Sequence, residues 1–179
     1  MLRFAECTFS SEDEMRSFLE RHPETLDDLL IVGSELRSES HGWPDLLALD
    51  AEGQVWVIEL KLNYAPRKIL DQIVGHATWI ASLTLRDLAQ LYARCNDGAQ
   101  LAEEYEAKFG RRLPGRAEMG SVVAIVASRI LEHTHCQLAW LEECGVPMRA
   151  YEYRYLCANG VEAVRVERVR LQPHARKPL

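Results

Sequence analysis

Long apolar runs are missing from the sequence, and none approaches the roughly 18 consecutive apolar residues that a membrane-spanning helix requires. The first residues, MLRFAECTFSSEDEM, also lack the basic and then apolar order of a signal peptide. These two absences predict a protein that makes no membrane contact and resides in the cytoplasm.

Cysteine is scarce and irregularly placed. The cysteines are odd in number, widely separated and never spaced as C-x-x-C, so neither a disulfide framework nor a zinc site is indicated. His133, His135 and Cys136 lie together, but at a helix start they would point in different directions, and no second ligand pair follows. We expect the five cysteines to be reduced and mostly packed against neighbours: Cys7, Cys95, Cys136, Cys144 and Cys157.

Positive charge is in the minority, with 21 Lys and Arg against 27 Asp and Glu and a formal net charge of −6. This balance argues against a protein that coats nucleic acid through overall positive potential, but it is compatible with a local basic groove. The stretch 165–177 holds five basic residues and one glutamate. That composition fits either a strand and tail that contact a phosphate backbone or a solvated tail.

Linkers rich in Gly, Ser or Pro, internal repeats and low-complexity tracts are all absent. With 179 residues, of which 47% are hydrophobic and 27% charged, the chain is large enough for one domain with a substantial core. We therefore predict a single domain over 1–179. In it, a motif-bearing part at about 11–83 is completed by elements at about 84–172 and followed by a basic tail at 173–179.

The sequence does contain a regular alternation of helical and strand patterns. Apolar residues at helical spacing predict helices, and apolar runs between turn residues predict strands. The predicted helices cover about 11–23, 66–82, 85–96, 99–109 and 133–144, and the predicted strands about 29–39, 45–50, 54–62, 121–131, 148–156 and 161–171. This order predicts an α/β fold in which helices flank a central mixed sheet.

Three charged residues interrupt the otherwise apolar hairpin that forms the second and third strands. If Asp50 pairs with Gln54 around a three-residue turn, the register places Asp45 opposite Glu59. Like charges at cross-strand distance repel each other, so a positive group is expected between them. Lys61 lies on the same face as Glu59, because side chains alternate along a strand.

Two carboxylates and a nearby backbone carbonyl, that of Leu60, suit a hard divalent cation such as Mg²⁺. An ammonium beside such a cation, here that of Lys61, can orient or help to deprotonate a metal-bound water and can stabilise charge on a phosphate. This arrangement indicates metal-assisted phosphodiester hydrolysis. The alternative is an exposed ion pair at the open end of a hairpin, which contributes little to stability.

The same residues match a family pattern. PD at 44–45, a step of 14 residues to Glu59 and ELK at 59–61 resemble the PD-(D/E)XK nuclease superfamily, in particular the nuclease domain of NucS-type endonucleases. The preceding helix SEDEMRSFLERHPETL, the hairpin DLLALDAEG and the later helix DQIVGHATWI also look like their counterparts in that family. The resemblance covers about 11–83 and implies a restriction-endonuclease-like core.

The resemblance implies roles for five residues. Asp45 and Glu59 would hold Mg²⁺ or Mn²⁺, and Lys61 would act on the water or the scissile phosphate. Glu14, on the first helix, would complete the site. Gln72, one helix later, would position a ligand or a substrate oxygen.

Two of these residues have an equally good structural interpretation. Glu14 is also the last residue of a capping box that begins at Ser11. Gln72 shares a helix face with His76, and this face either lines the cleft or is solvated. We interpret His76 itself as structural.

Four further residues are candidates for contact with nucleic acid. His41 can contact a phosphate and Trp43 can stack on a base, although a loop histidine is often simply exposed and such a tryptophan often packs under the sheet. Arg67 and Lys68 begin the helix after the hairpin, near the expected mouth of the cleft, where they can bind the phosphate backbone.

Two hypotheses about function follow. The first is a Mg²⁺- or Mn²⁺-dependent nuclease that acts on DNA, in repair or in defence as the resemblance implies; RNA stays open as a substrate, and so does a homodimer. The second is a non-cleaving module that binds nucleic acid or protein on the same fold. The intact triad of Asp45, Glu59 and Lys61 favours the first, whereas the net negative charge favours the second.

Overall fold

The computed structural model describes residues 4–34, 44–66 and 69–171, and its strands form one seven-stranded mixed sheet. The strands are β1 Ala5–Cys7, β2 Leu30–Ser34, β3 Leu46–Leu49, β4 Val55–Ala65, β5 Ser121–Ile130, β6 Met148–Ala158 and β7 Val161–Val169. The helices are α1 Glu12–Arg21, α2 Ile69–Ser82, α3 Leu85–Cys95, α4 Leu101–Phe109 and α5 Glu132–Glu143. The predicted α/β fold, with helices flanking a mixed sheet, is confirmed.

Three parallel strands form the centre of the sheet, in the order β4, β5 and β6. β3 and β2 extend the sheet antiparallel beyond β4. β7 pairs along nearly all of β6, so β5 and β1 share the opposite edge of β6, one after the other. Among the described residues, β2, β7 and the short β1 are therefore the strands with one neighbour each.

The two faces of the sheet carry different helices. On one face, Met15 and Leu19 of α1 pack with Ile58 and Leu60 of β4 and with tyrosines of β6. On the other face, α2, α3 and α4 cover β3 and β4, and α2 and α5 cover β5. Because residues alternate along β4, Glu59 and Lys61 point to the face of α2, opposite to α1.

The turn of the β3–β4 hairpin has the predicted geometry. The Asp50 amide donates to the Gln54 carbonyl at 3.2 Å, and the three residues between them end at Gly53, whose φ is +77°. A side chain at Gly53 would also collide with Pro114, whose Cγ lies 2.2 Å from an ideal Cβ position. The turn fixes the register Leu49–Val55 and Leu47–Val57, as predicted.

β1 and its covalent link to β6 were not predicted. Ala5–Cys7 adds a short strand to β6, and Cys7 forms a disulfide with Cys157. The expectation that all five cysteines are reduced is therefore wrong for this pair. The two residues are 150 positions apart and become neighbours only through the pairing of β1 with β6, which no spacing rule indicates.

The other cysteines that the structure describes, Cys95, Cys136 and Cys144, are free. No helix in the described part of the chain is both long enough and apolar enough to span a bilayer.

The disulfide predicts a specific alkylation pattern. Protein denatured without reductant and treated with iodoacetamide should take up three alkyl groups, and protein reduced first should take up five. Intact-mass spectrometry measures both numbers. Cys95→Ser should lower each number by one, whereas five labels without reduction would contradict the Cys7–Cys157 pairing.

Candidate active site

Asp45 and Glu59 lie at the end of β3, where β4 continues without its neighbour. Leu46 pairs with Ile58, so the register carries Asp45 to the position opposite Glu59 on the same face. Asp45 Oδ2 accepts a hydrogen bond of 2.7 Å from the Leu60 amide, which holds the half-buried carboxylate against β4. The structure thus places the two carboxylates at opposite positions of neighbouring strands, as predicted.

Glu59 is the buried centre of the site, with 2% of its surface exposed. One carboxylate oxygen, Oε1, accepts a hydrogen bond of 2.7 Å from Lys61 Nζ. The other, Oε2, lies 3.1 Å from His76 Nε2 on α2, and this contact requires a proton on Nε2. Both oxygens therefore have a hydrogen-bond partner, as a buried carboxylate requires.

The glutamate of α1 that reaches this cluster is Glu12, not Glu14. Glu12 Oε1 lies 3.9 Å from Lys61 Nζ and 3.4 Å from the Leu62 amide. The Glu14 side chain instead accepts hydrogen bonds from the amide and hydroxyl of Ser10, at 2.6 and 2.7 Å. Glu14 is exposed and holds the start of α1, so the structure does not bring it to the predicted site.

The electrostatics of the cluster separate the two carboxylates. Burial and the negative charge of Glu59 raise the pKa of Asp45 to about 6. Burial also acts to raise the pKa of Glu59, but the hydrogen bonds from His76 and Lys61 outweigh it and lower the pKa below its usual range. Burial acts to lower the pKa of Lys61, but its contacts with Glu59 raise it, so the ammonium is charged at neutral pH.

α2 contributes His76 and Gln72 on one face. His76 is buried, with 1% of its surface exposed, and its contact with Glu59 makes it part of the cluster, which the sequence interpretation missed. Gln72 lies one turn earlier and is exposed. The available signal was the four-residue spacing from Gln72, because it places both side chains on the same side of α2.

A cleft of about 310 Å³ opens next to Lys61, lined by residues of β4 and by Glu12 and Pro66. The pairing of β4 with β5 is irregular between Lys61 and Tyr64, and such bulges re-aim side chains. Tyr64 is 56% exposed and lines this cleft. An aromatic ring is therefore available within three residues of the catalytic lysine candidate.

Four predicted contacts cannot be placed in the structure. His41, Trp43, Arg67 and Lys68 lie outside the described residues. The Leu60 backbone can be placed: its amide points towards Asp45, and amide and carbonyl of one strand residue face the same edge. The Leu60 carbonyl is therefore on the side of the carboxylates.

The donor set fits a hard divalent cation that keeps several waters. Among the described residues, no three His, Cys, Asp or Glu side chains form a cluster suited to hold a metal. Mg²⁺, however, is commonly bound by one or two carboxylates with water and phosphate oxygens completing its shell. Burial, and after it the charge of Glu59, raise the pKa of Asp45, and a bound cation would offset both effects.

A larger cleft, of about 890 Å³, lies away from the carboxylates, where β5 and β1 part along β6. Arginines and glutamates line it in mixture, among them Arg129, Arg154, Glu152 and Glu167. The Glu152 carboxylate is already used, because it accepts a hydrogen bond of 2.8 Å from the Ile130 amide. This cleft offers size but no convergent set of catalytic groups.

No protein-family model and no curated protein matches the sequence. Two solved structures are similar in fold. One is the crystal structure of a repair endonuclease from Pyrococcus abyssi, with a TM-score of 0.44 and 19% identity over 83% of this chain and 50% of that one. The other is the structure of an EndoMS-dsDNA2 complex, with a TM-score of 0.44 and 20% identity over 84% of this chain and 48% of that one.

The first is described as a repair endonuclease, and the second as EndoMS in a complex with double-stranded DNA. The chain spans about half the length of each. Likeness at this level of identity concerns the fold, and the activity of this chain has to be argued from its own side chains.

Asp45→Asn should stabilise the metal-free protein at pH 8. The pKa of Asp45 is about 6 in the folded state against 3.8 ordinarily, so the folded state binds the proton more tightly. The stability cost of the carboxylate therefore grows as the pH rises from about 4 to about 6 and then stays constant. Its upper limit is about 3 kcal/mol.

Urea unfolding in EDTA, at pH 4 and at pH 8, measures this effect as the difference in free energy of unfolding between variant and wild type. Asp71→Asn, at an exposed position in the first turn of α2, is the matched control and should not stabilise the protein at pH 8, because a carboxylate near a helix N-terminus is favourable. A stabilisation by Asp45→Asn that is equal at both pH values would contradict the assigned cause.

Proposed function

We propose that the protein is a divalent-metal-dependent nuclease that hydrolyses phosphodiester bonds of DNA. One observation carries the proposal: two carboxylates, Asp45 and Glu59, converge at the end of a buried hairpin beside a charged Lys61. Desolvation and mutual repulsion make this arrangement of two carboxylates costly. The cost is explained if the site binds a cation. DNA repair and defence are the settings that the resemblance suggests.

Asp45, Glu59 and the Leu60 carbonyl are the residues that would hold Mg²⁺ or Mn²⁺. When bound, the cation supplies a Lewis acid that activates water and neutralises phosphate charge. Hydrogen bonds fix both carboxylates beforehand, Asp45 through the Leu60 amide and Glu59 through His76. Such preorganisation of ligands is what metal sites derive from neighbouring groups.

Lys61 is suited to act as a hydrogen-bond donor and point charge. Its contacts with Glu59 keep the ammonium protonated, so it can donate to a phosphate oxygen or orient a water. Glu12 is a second carboxylate near this ammonium, with Oε1 3.9 Å from Lys61 Nζ. We assign Glu12 the place on α1 that the sequence had suggested for Glu14.

The second candidate, a binding module that does not cut, is favoured by a different observation. Lys61 and His76 already contact both oxygens of Glu59, so this buried carboxylate has its hydrogen-bond partners without a cation. A protein that had lost its metal could keep this arrangement as a structural network. Cleavage assays separate the two candidates directly.

Lys61→Ala should abolish DNA cleavage while leaving DNA affinity in Ca²⁺ nearly unchanged. The reason is that only interactions that strengthen in the transition state accelerate the chemistry. Purified wild type and variant are incubated with plasmid, single-stranded and branched DNA in Mg²⁺ and in Mn²⁺, and affinity is measured by fluorescence anisotropy.

Lys108→Ala, which removes a lysine paired with Asp28 far along the chain, is the control and should retain cleavage. The nuclease assignment fails if wild type binds DNA but cuts none of these substrates with either metal. It then follows that the module is a binder, for which Lys61→Ala should weaken binding modestly and lower the salt slope by about one.

Tyr64→Ala should weaken the binding of single-stranded DNA in Ca²⁺ by about 1 to 3 kcal/mol, because its exposed ring can stack on a base beside the cleft. Tyr64→Phe should keep most of the affinity, since the ring remains. Trp140→Ala removes a ring of similar exposure on α5 and is the matched control. Equal losses for Tyr64→Ala and Trp140→Ala would show that neither ring marks the DNA path.

A further inference from the structure

The strand β7 leaves one edge of the sheet open. It pairs with β6 from Val161 to Val169, and within the described residues no strand pairs with its other side. Nine residues make a long edge by the standards of globular proteins, which usually keep edge strands short or covered. Such an edge is a template for a further strand.

The hairpin turn decides which backbone groups face outwards. Asn159 and Gly160 form a two-residue turn with positive φ at both positions, so Ala158 and Val161 form a hydrogen-bonded pair. Pairs alternate from there, which puts Val164 and Val166 in non-hydrogen-bonded pairs with β6. The N–H and C=O groups of these two valines therefore point to the open edge.

We propose that β7 pairs antiparallel with β7 of a second copy of this chain, with Val166 opposite Val166. In this register, Arg165 of each copy lies opposite Glu167 of the other, and Glu162 lies opposite Arg170. Four opposite-charge pairs result, and no like charges face each other. Opposite-charge pairs across strands are stabilising and like-charge pairs destabilising.

Other registers align fewer opposite charges. Moving the two-fold axis by one residue, which is a slip of two residues between the strands, places two Arg165 side chains or two Glu167 side chains opposite each other, and only the first of these also aligns Glu162 with Arg168. Pairing Val164 with itself aligns no charges at all. The charge pattern therefore selects one alignment. Lysine-rich edges that merely prevent aggregation show no such self-complementarity.

The joined sheets would have a defined geometry. A two-fold axis normal to the sheet keeps the Asp45 and Glu59 clusters of both copies on the same side. Seven strand spacings separate one β4 from the other, which corresponds to about 33 Å before twist is considered. An interface of one strand edge is small, so we expect a weak dimer that forms at micromolar concentration.

Sedimentation velocity over a range of concentrations tests the pairing. Wild type should rise from the monomer mass of 20.4 kDa towards twice that value as its concentration increases. Arg165→Glu and Glu167→Arg should each stay monomeric alone, because each creates like-charge pairs across the axis. An equimolar mixture of the two variants should dimerise again, since the carboxylate introduced by Arg165→Glu then faces the guanidinium introduced by Glu167→Arg.

The equimolar mixture of the two variants is the measurement that decides whether the strands pair as proposed. Arg165 and Glu167 also contact each other within the strand, and both single variants lose that contact whether mixed or not. Arg112→Glu, in the exposed loop after α4, is the control for net charge and should dimerise like wild type. Monomeric wild type at every concentration, or no dimer in the mixture, would overturn the proposal. Thermal melts of each variant confirm folding.

Discussion

The buried carboxylate of Glu59 is the constraint around which the rest of the site is arranged. A carboxylate with 2% of its surface exposed is tolerated only if both of its oxygens have hydrogen-bond partners. Lys61 of β4 and His76 of α2 are these partners. The position of α2 is thereby tied to β4 by a hydrogen bond as well as by apolar packing. Burial and the nearby Glu59 raise the pKa of the half-buried Asp45.

β4 is longer than its neighbour β3, and side chains replace the missing strand. Beyond Ile58, the amides of Leu60 and Leu62 have no β3 residue opposite them. Carboxylates from Asp45 and Glu12 accept hydrogen bonds from these amides. An unsatisfied buried amide would cost about 1 to 3 kcal/mol, so the same acidic side chains that define the site also finish the sheet.

The hairpin could be predicted well from the sequence because the turn between β3 and β4 fixes how the residues of the two strands pair. Gly53, with its positive φ, permits only the three-residue loop, and alternation along the strands then fixes the face of Asp45, Glu59 and Lys61. The same local reasoning predicted the helices, because their apolar spacing is contained in short segments. Among the described residues, the short strand β1 and the 3₁₀ turns Pro23–Thr25 and Arg116–Glu118 were not predicted.

Local patterns failed where the answer depended on tertiary placement. Glu12 and Glu14 lie in the same first turn of α1, and nothing in the sequence says which carboxylate meets Lys61. The capping box predicted from Ser11 to Glu14 forms only in part: Ser11 accepts from the Glu14 amide, but the Glu14 carboxylate binds Ser10, and this contact keeps it out of the cluster. His76 could be assigned to Glu59 only once the crossing of α2 over β4 was known.

The position of β1 has a consequence for the order of folding. β1 joins β6 across 150 residues, and Phe9, just after it, stacks on Tyr155. Tyr153 of β6 also donates a hydrogen bond to the Leu62 carbonyl beside the site. A chain emerging from the ribosome can form the β3–β4 hairpin early, but α1 and Glu12 gain their full support only after β6 has been synthesised. The acidic cluster is thus completed late, only after β6 has been made.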